Sequence, residues 1–221
     1  MSKLVVALFF LLLPPQAPRL SPHELLSAVS DKYGRLNSLS ADFEQISKDA
    51  NRTNRVRGQM YLKKGKKARF DYFSSTCTQP SNCPVVQSDY FDGNTHTRYL
   101  PEEKQAMPKP LGRSDDERLL IILNFGNRES PWKNEFDRKE MGRVPPLVPG
   151  NHLLILTPND TTNIRDVLAE VDPATLLMNR FGFTRADKTY TEYIFTNIKT
   201  APLNDSVFEF KAPPDVKIFV R

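Results

Sequence analysis

Ten short runs rich in β-branched and aromatic residues follow one another along most of this 221-residue chain, and they limit its fold more than any other feature. They are "SADFEQIS", "RVRGQMYLKK", "ARFDYFS", "PVVQSDYF", "HTRYLP", "HLLILTP", "NIRDVLAEVD", "TLLMNRFGF", "TYTEYIFTNIK" and "SVFEFKAP". Turn chemistry separates them: Gly65, "DGN" at 92–94, "PND" at 158–160, "DPA" at 172–174 and "RADK" at 185–188. So many strands in steady succession predict a mainly β, antiparallel sheet curled into a barrel or a sandwich. No strand–helix alternation of the dinucleotide-binding kind interrupts them. The Pro-rich "RVPPLVPGN", residues 143–151, reads as a surface loop.

Two helices are marked by their starts. Ser21, Pro22 and Glu24 form an N-cap, a first-turn proline and a capping-box acid. Leu25, Leu26, Val29, Tyr33 and Leu36 then recur at helical spacing. Ser114 and Glu117 repeat the device, with Asp115 and Asp116 at the positive end of the helix dipole. The apolar run Leu119, Leu120, Ile121, Ile122 and Leu123 follows, and Gly126 stops it. A helix apolar nearly all round is buried or borders an apolar space.

The N-terminus has a different character. Lys3 precedes ten apolar residues, Leu4 to Leu13, and a small residue, Ala17, lies beyond. This reads as a signal peptide over residues 1–17, ahead of one domain over 18–221. Ten apolar residues are too few to span a bilayer, which takes about 20. The chain is therefore expected to be exported.

The formal charge is +5, from 31 basic and 26 acidic residues mixed along the chain. Nucleic-acid binding rests on a concentrated basic face, and no such partner is expected here. The densest basic stretch, "KKGKK" at 63–67, falls between two alternating apolar strands. Met60 and Leu62 lead in, and Ala68, Phe70 and Tyr72 lead out, so the basic residues read as a solvated hairpin tip.

Cys77 and Cys83 are the two cysteines, and in an exported chain so close a pair reads as a disulfide. His23, His96 and His152 are scattered, so neither a metal site nor a cofactor is expected. No nucleophile elbow, zinc-protease helix or P-loop is present, and no catalytic residue is nominated. The expectation is a binding protein and not an enzyme.

A family resemblance rests on an ordered set of fragments. After the first helix come "LNSLSADFEQ", "GQMYLKK", "DGNTHTRYLPEEKQ" and the apolar helix after Ser114. Then come "LLILTP", "AEVDPAT" and "FTNIKTAPLNDSVFEFKAPPDVKIF". In this order and spacing, over residues 22–219, the chain resembles the LolA family of periplasmic lipoprotein carriers. The resemblance implies an incomplete antiparallel β-barrel, here of about ten or eleven strands, with an α-helical lid over an apolar cavity. It implies a location in the periplasm, reached across the inner membrane, with lipoprotein acyl chains as cargo, an inner-membrane lipoprotein-releasing ABC complex as donor, an outer-membrane acceptor, and a monomeric carrier. The related fold also serves carriers of other lipids or glycolipids and envelope sensors without transport activity, and both remain alternatives.

The expected cavity and lid residues are Leu25, Val29, Tyr33 and Leu36 on the first helix and Phe43, Met60, Leu62, Phe70 and Tyr72 on strands. Leu119, Ile122 and Leu123 join them from the second helix. Lys64 matches the place where the family carries an Arg that latches the lid. A lysine lacks the planar fork of arginine and makes a looser latch. Where aromatic residues are typical of the family after "DG", this chain has Thr97 and Arg98 before Tyr99.

Overall fold

The structure is a computed structural model that describes residues 20–77, 83–111, 136–159 and 163–220. The expected signal segment and the expected second helix, with Leu119, Ile122 and Leu123, lie outside the described residues.

Helix α1 spans Pro22–Arg35. Its capping box is complete: the Ser21 N–H donates to Glu24 Oε2 at 2.8 Å, and the Glu24 N–H donates to Ser21 Oγ at 3.3 Å. These bonds satisfy two donors that a helix start leaves open. Lys32 and Arg35 occupy the last turn, where cations suit the dipole. The apolar stripe of Leu25, Leu26 and Val29 is buried.

The strands are β1 (Ser38–Lys48), β2 (Thr53–Lys63), β3 (Lys67–Phe73), β4 (Val85–Asp92), β5 (Thr95–Leu100) and β6 (Gln105–Pro110). They continue with β7 (Phe136–Met141), β8 (His152–Pro158), β9 (Ile164–Val171), β10 (Met178–Arg185), β11 (Tyr190–Lys199) and β12 (Lys217–Ile218). All belong to one sheet, in the order β12, β6, β5, β4, β3, β2, β1, β11, β10, β9, β8, β7. The expected strand count is corrected: among the described residues twelve strands form where ten or eleven were expected. The sheet is open and not a closed barrel, because the edge strands β12 and β7 do not pair. The edges explain this. β12 is two residues long, and β7 carries Asp137, Arg138, Lys139 and Glu140, charges that discourage further pairing. Among the described residues every pairing is antiparallel except that of β12 with β6.

The segment expected as a tenth strand, "SVFEFKAP", does not pair. Asn204 caps a 3-10 turn over Asp205–Val207, and the chain crosses the outer face of β1–β5 instead. Ser38 Oγ donates to the Ala201 carbonyl and accepts the Leu203 N–H. Lys63 Nζ donates to the Leu203 carbonyl at 2.7 Å, and both Lys63 and Lys67 pair with Asp205. Phe210 then lies against the rings of Tyr90 and Tyr99.

At the opposite half of the outer face, Glu170 of β9 is fully buried. Its carboxylate accepts the backbone N–H groups of Leu147 and Val148 and the side-chain amide of Asn151. This pins the Pro-rich loop between β7 and β8, leaving Val144, Leu147 and Val148 exposed. Cys77 and Cys83 are joined as a disulfide between β3 and β4.

Candidate functional site

Strand register decides which side chains share a face. Phe43 pairs with Gly58 on β2 and with Phe195 on β11. Gly58 pairs in turn with Tyr72, Met60 with Phe70, and Leu62 with Ala68. The same face continues through Tyr193, Phe181, Ala169 and Leu154 on the other side of β1. Phe43, Phe70, Tyr72, Phe91 and Tyr193 meet edge-to-face, with ring centroids 5.5 to 6.3 Å apart. Such tilted contacts are the favoured geometry for ring pairs.

Gly58 makes room for the hub of this network. A Cβ there would meet the Asp71 carbonyl oxygen and lie 2.7 Å from the Phe43 ring. Helix α1 covers this inner face, since Leu25, Leu26 and Val29 belong to the same apolar cluster as the strand residues. The Tyr33 hydroxyl accepts the Met178 N–H at 3.0 Å, tying the end of the helix to β10. Burial pushes the Tyr33 phenol up to about 12.

The inner face is not apolar throughout. Asp89, opposite Phe70, is fully buried. Its Oδ1 lies 2.9 Å from His96 Nε2 and accepts from Arg98 Nε at 3.0 Å, while Oδ2 accepts from Gln87 Nε2 at 2.8 Å. The His96 ring stacks on Phe91 with centroids 4.3 Å apart. These four polar residues were not among those expected from the sequence. Alternation along β4 and β5 carries their signal, because Phe91 faces inward and Asp89 sits two residues before it.

Residues 34–211 match the family described as "Outer membrane lipoprotein carrier protein LolA". The chain belongs to the LolA family. It is similar to a curated outer-membrane lipoprotein carrier protein of Proteus mirabilis, 25% identical over 190 residues that cover 86% of this chain and 85% of that one. Among solved structures it is similar to an uncharacterized conserved protein from Thermus thermophilus, with a TM-score of 0.54 at 12% identity, covering 88% of this chain and 98% of that one. A LolA superfamily protein from Nitrosomonas europaea aligns with a TM-score of 0.42 at 11% identity, over 87% of this chain and 99% of that one.

Against this LolA framework, Leu25, Val29, Phe43, Met60, Leu62, Phe70 and Tyr72 all lie in the inner-face cluster, with Tyr33 and Leu36 packed against it. Within that cluster the rings of Phe43, Phe70 and Tyr72 pack on one another. A recess of about 280 Å³ lies on the outer face, where β1 and β11 shift register, and Asp42, Gln59, Tyr61, Asn197 and Lys199 line it.

The basic hairpin is less solvated than its composition implies. Gly65 and Lys66 take positive φ at the turn, and Lys66 is exposed. Lys63 and Lys67 hold Asp205, whose carboxyl they keep down at about 2. Arg69 pairs with Asp71 and lies over the Tyr90 ring at 4.9 Å. The Lys64 backbone N–H donates to the Asn37 carbonyl, just past α1, and among the described residues its ammonium forms no ion pair.

Proposed function

We propose that this protein is a periplasmic carrier that shields lipoprotein acyl chains against the inner face of its sheet and moves them from the inner to the outer membrane. The single observation that carries this reading is the family match over residues 34–211. The apolar face beneath α1 supports it physically. A sixteen-carbon chain moved from water into such a setting gains on the order of 10 kcal/mol. A carrier must supply that burial and then give it up. Helix α1 suits the task, because its buried stripe occupies the same face that a guest would need. In the proposed cycle α1 and the second helix expected from the sequence after Ser114 act as a lid. Displacing the lid exchanges helix–sheet contacts for acyl–sheet contacts of similar kind, so loading and release need no large net energy. Lys64, next to the α1–β1 junction, is the proposed latch. An inner-membrane ABC complex is the proposed donor and an outer-membrane protein the proposed acceptor.

The test is release of acylated lipoproteins from spheroplasts by the purified protein, followed by native mass spectrometry. The expected result is a soluble complex with intact lipoprotein. Unloaded protein together with no release would overturn the reading. A bound lipid without any polypeptide would instead assign the carrier to another lipid or glycolipid.

A further inference from the structure

The outer face carries a polar recess that acyl-chain shielding on the inner face does not use. It lies between β1, β2 and β11 and holds about 280 Å³. A bulge shapes it. Ser40 pairs with Lys199 and Asp42 with Thr196, so β11 carries one more residue than β1 across the same span. Asn197, at φ 52°, sits in that span in a left-handed conformation that asparagine tolerates. Bulges of this kind re-aim side chains. Here Asn197 Nδ2 donates to Asp42 Oδ2 at 2.7 Å. Gln59 Nε2 donates to Asp42 Oδ1 at 2.9 Å, and the Tyr61 hydroxyl donates to Gln59 Oε1 at 2.9 Å. Arg69, paired with Asp71, lies over the Tyr61 ring at 5.8 Å and steadies it. The polar groups of the recess thus orient one another, as the groups of a binding site must.

The balance of charge and donors sets the class of ligand. Asp42 accepts from two neutral amides, and among the described residues it pairs with no cation. Each carboxylate oxygen has a second acceptor site, and each amide NH₂ has a second donor. Lys199 stands exposed on the rim and forms no ion pair among the described residues. A metal cation does not suit this set, because two NH₂ groups already face the carboxylate and an ammonium lies at the rim. A plain anion does not suit it either, because it would meet Asp42. Closely spaced donors and acceptors around one carboxylate, beside an aromatic ring, fit the neighbouring hydroxyls and the C–H face of a sugar. The volume falls just under the range of about 300–1,000 Å³ usual for ligand pockets, which leaves room for one ring and little more.

We propose that this recess is a subsite for one neutral sugar ring, with Asp42 accepting from adjacent hydroxyls, Gln59 and Asn197 donating to ring oxygens, and Tyr61 forming the apolar wall. The site lies on the outer face and does not rest on the acyl-carrier proposal. The test is an NMR titration of the ¹⁵N-labelled protein with glucose, galactose, mannose and N-acetylglucosamine. Alanine and inorganic phosphate serve as zwitterionic and anionic probes. At least one sugar is expected to shift the side-chain amide signals of Gln59 and Asn197 saturably, with a Kd of about 1–10 mM, the weak range that a single small ring can reach. Alanine and phosphate are expected to leave those signals unmoved. Asp42→Asn removes the charged acceptor at constant shape and is expected to weaken sugar binding about tenfold. Asn197→Gly keeps the left-handed turn, removes the amide, and is expected to weaken binding in the same direction. No saturable shift by any of the four sugars up to about 100 mM would overturn the assignment. So would an equal response to alanine or phosphate, or an affinity unchanged in both variants.

Discussion

The buried carboxylate of Glu170 accepts the backbone N–H of Leu147 at 2.8 Å, across the outer face of β9. A second bond, from the Val148 N–H at 2.9 Å, makes Glu170 the fastener of the whole 142–151 loop. Glutamine at this position has one acceptor oxygen, and it would turn an NH₂ group toward a backbone N–H. Glu170→Gln is expected to lower stability by about 2 kcal/mol, within the range for hydrogen bonds to a charged group. Thermal unfolding measures the loss, and amide exchange should accelerate first at Leu147 and Val148.

Two glycines should respond in opposite directions. Gly58→Ala drives a methyl group into the Phe43 ring and the Asp71 carbonyl, so a loss of about 3 kcal/mol is expected. At Gly34, near the end of α1, a Cβ meets nothing within 4 Å. Gly34→Ala is expected to add about 0.5–1 kcal/mol by restricting the unfolded chain. Chemical denaturation of the two variants side by side checks both signs.

Tyr33 predicts an alkaline limit. Its folded phenol is held up at about 12 by burial, while the unfolded phenol titrates near its ordinary value of 10. The stabilisation is thus complete below about pH 10 and is lost as pH rises toward about 12, because the unfolded state releases its proton first. Tyr33→Phe should make this part of the pH–stability curve less steep, the remainder belonging to Tyr190, which is also held up at about 12. It should also cost about 1–2 kcal/mol at neutral pH, since the Met178 N–H loses its acceptor.

Asp205 predicts the opposite, acidic limit. Hydrogen bonds from Lys63 and Lys67 hold its carboxyl down at about 2, below its ordinary value of 3.8. A depressed carboxyl contributes above its unfolded value, and the contribution disappears as pH falls from about 4 to about 2. The stability gap between the native protein and Asp205→Asn should therefore be present at neutral pH and close over that window. Urea midpoints measured across the range would show it.

Most of the sheet was legible from period-two alternation. Strands such as β1 and β3 set Phe43, Phe70 and Tyr72 to one face and polar residues to the other. β6 was hidden by Pro108 and Pro110, which cannot donate to a ladder. They are tolerated because β12 covers only Gln105 and Ala106, leaving the rest of β6 as an edge. β7 was hidden by its charges, which likewise suit an edge. Residues 206–213 alternate like a strand, yet Phe208 and Phe210 serve a crossing segment, and alternation alone does not distinguish pairing from crossing. At the candidate site, the apolar liners followed from composition and spacing. The polar group around Asp89 did not, because Asp89 meets His96 and Arg98 only when β4 and β5 pair.

The pairing of Phe43 with Phe195 joins the first strand of the chain to the eleventh. A ribosome delivers β1 long before β11 exists, so one side of β1 waits with its peptide groups and aromatic hub uncovered. The two halves of the sheet can each zip up from neighbouring hairpins, but the seam between them closes only once nearly the whole polypeptide is available. Early truncation should therefore leave a sticky half-sheet and no smaller working version of this molecule.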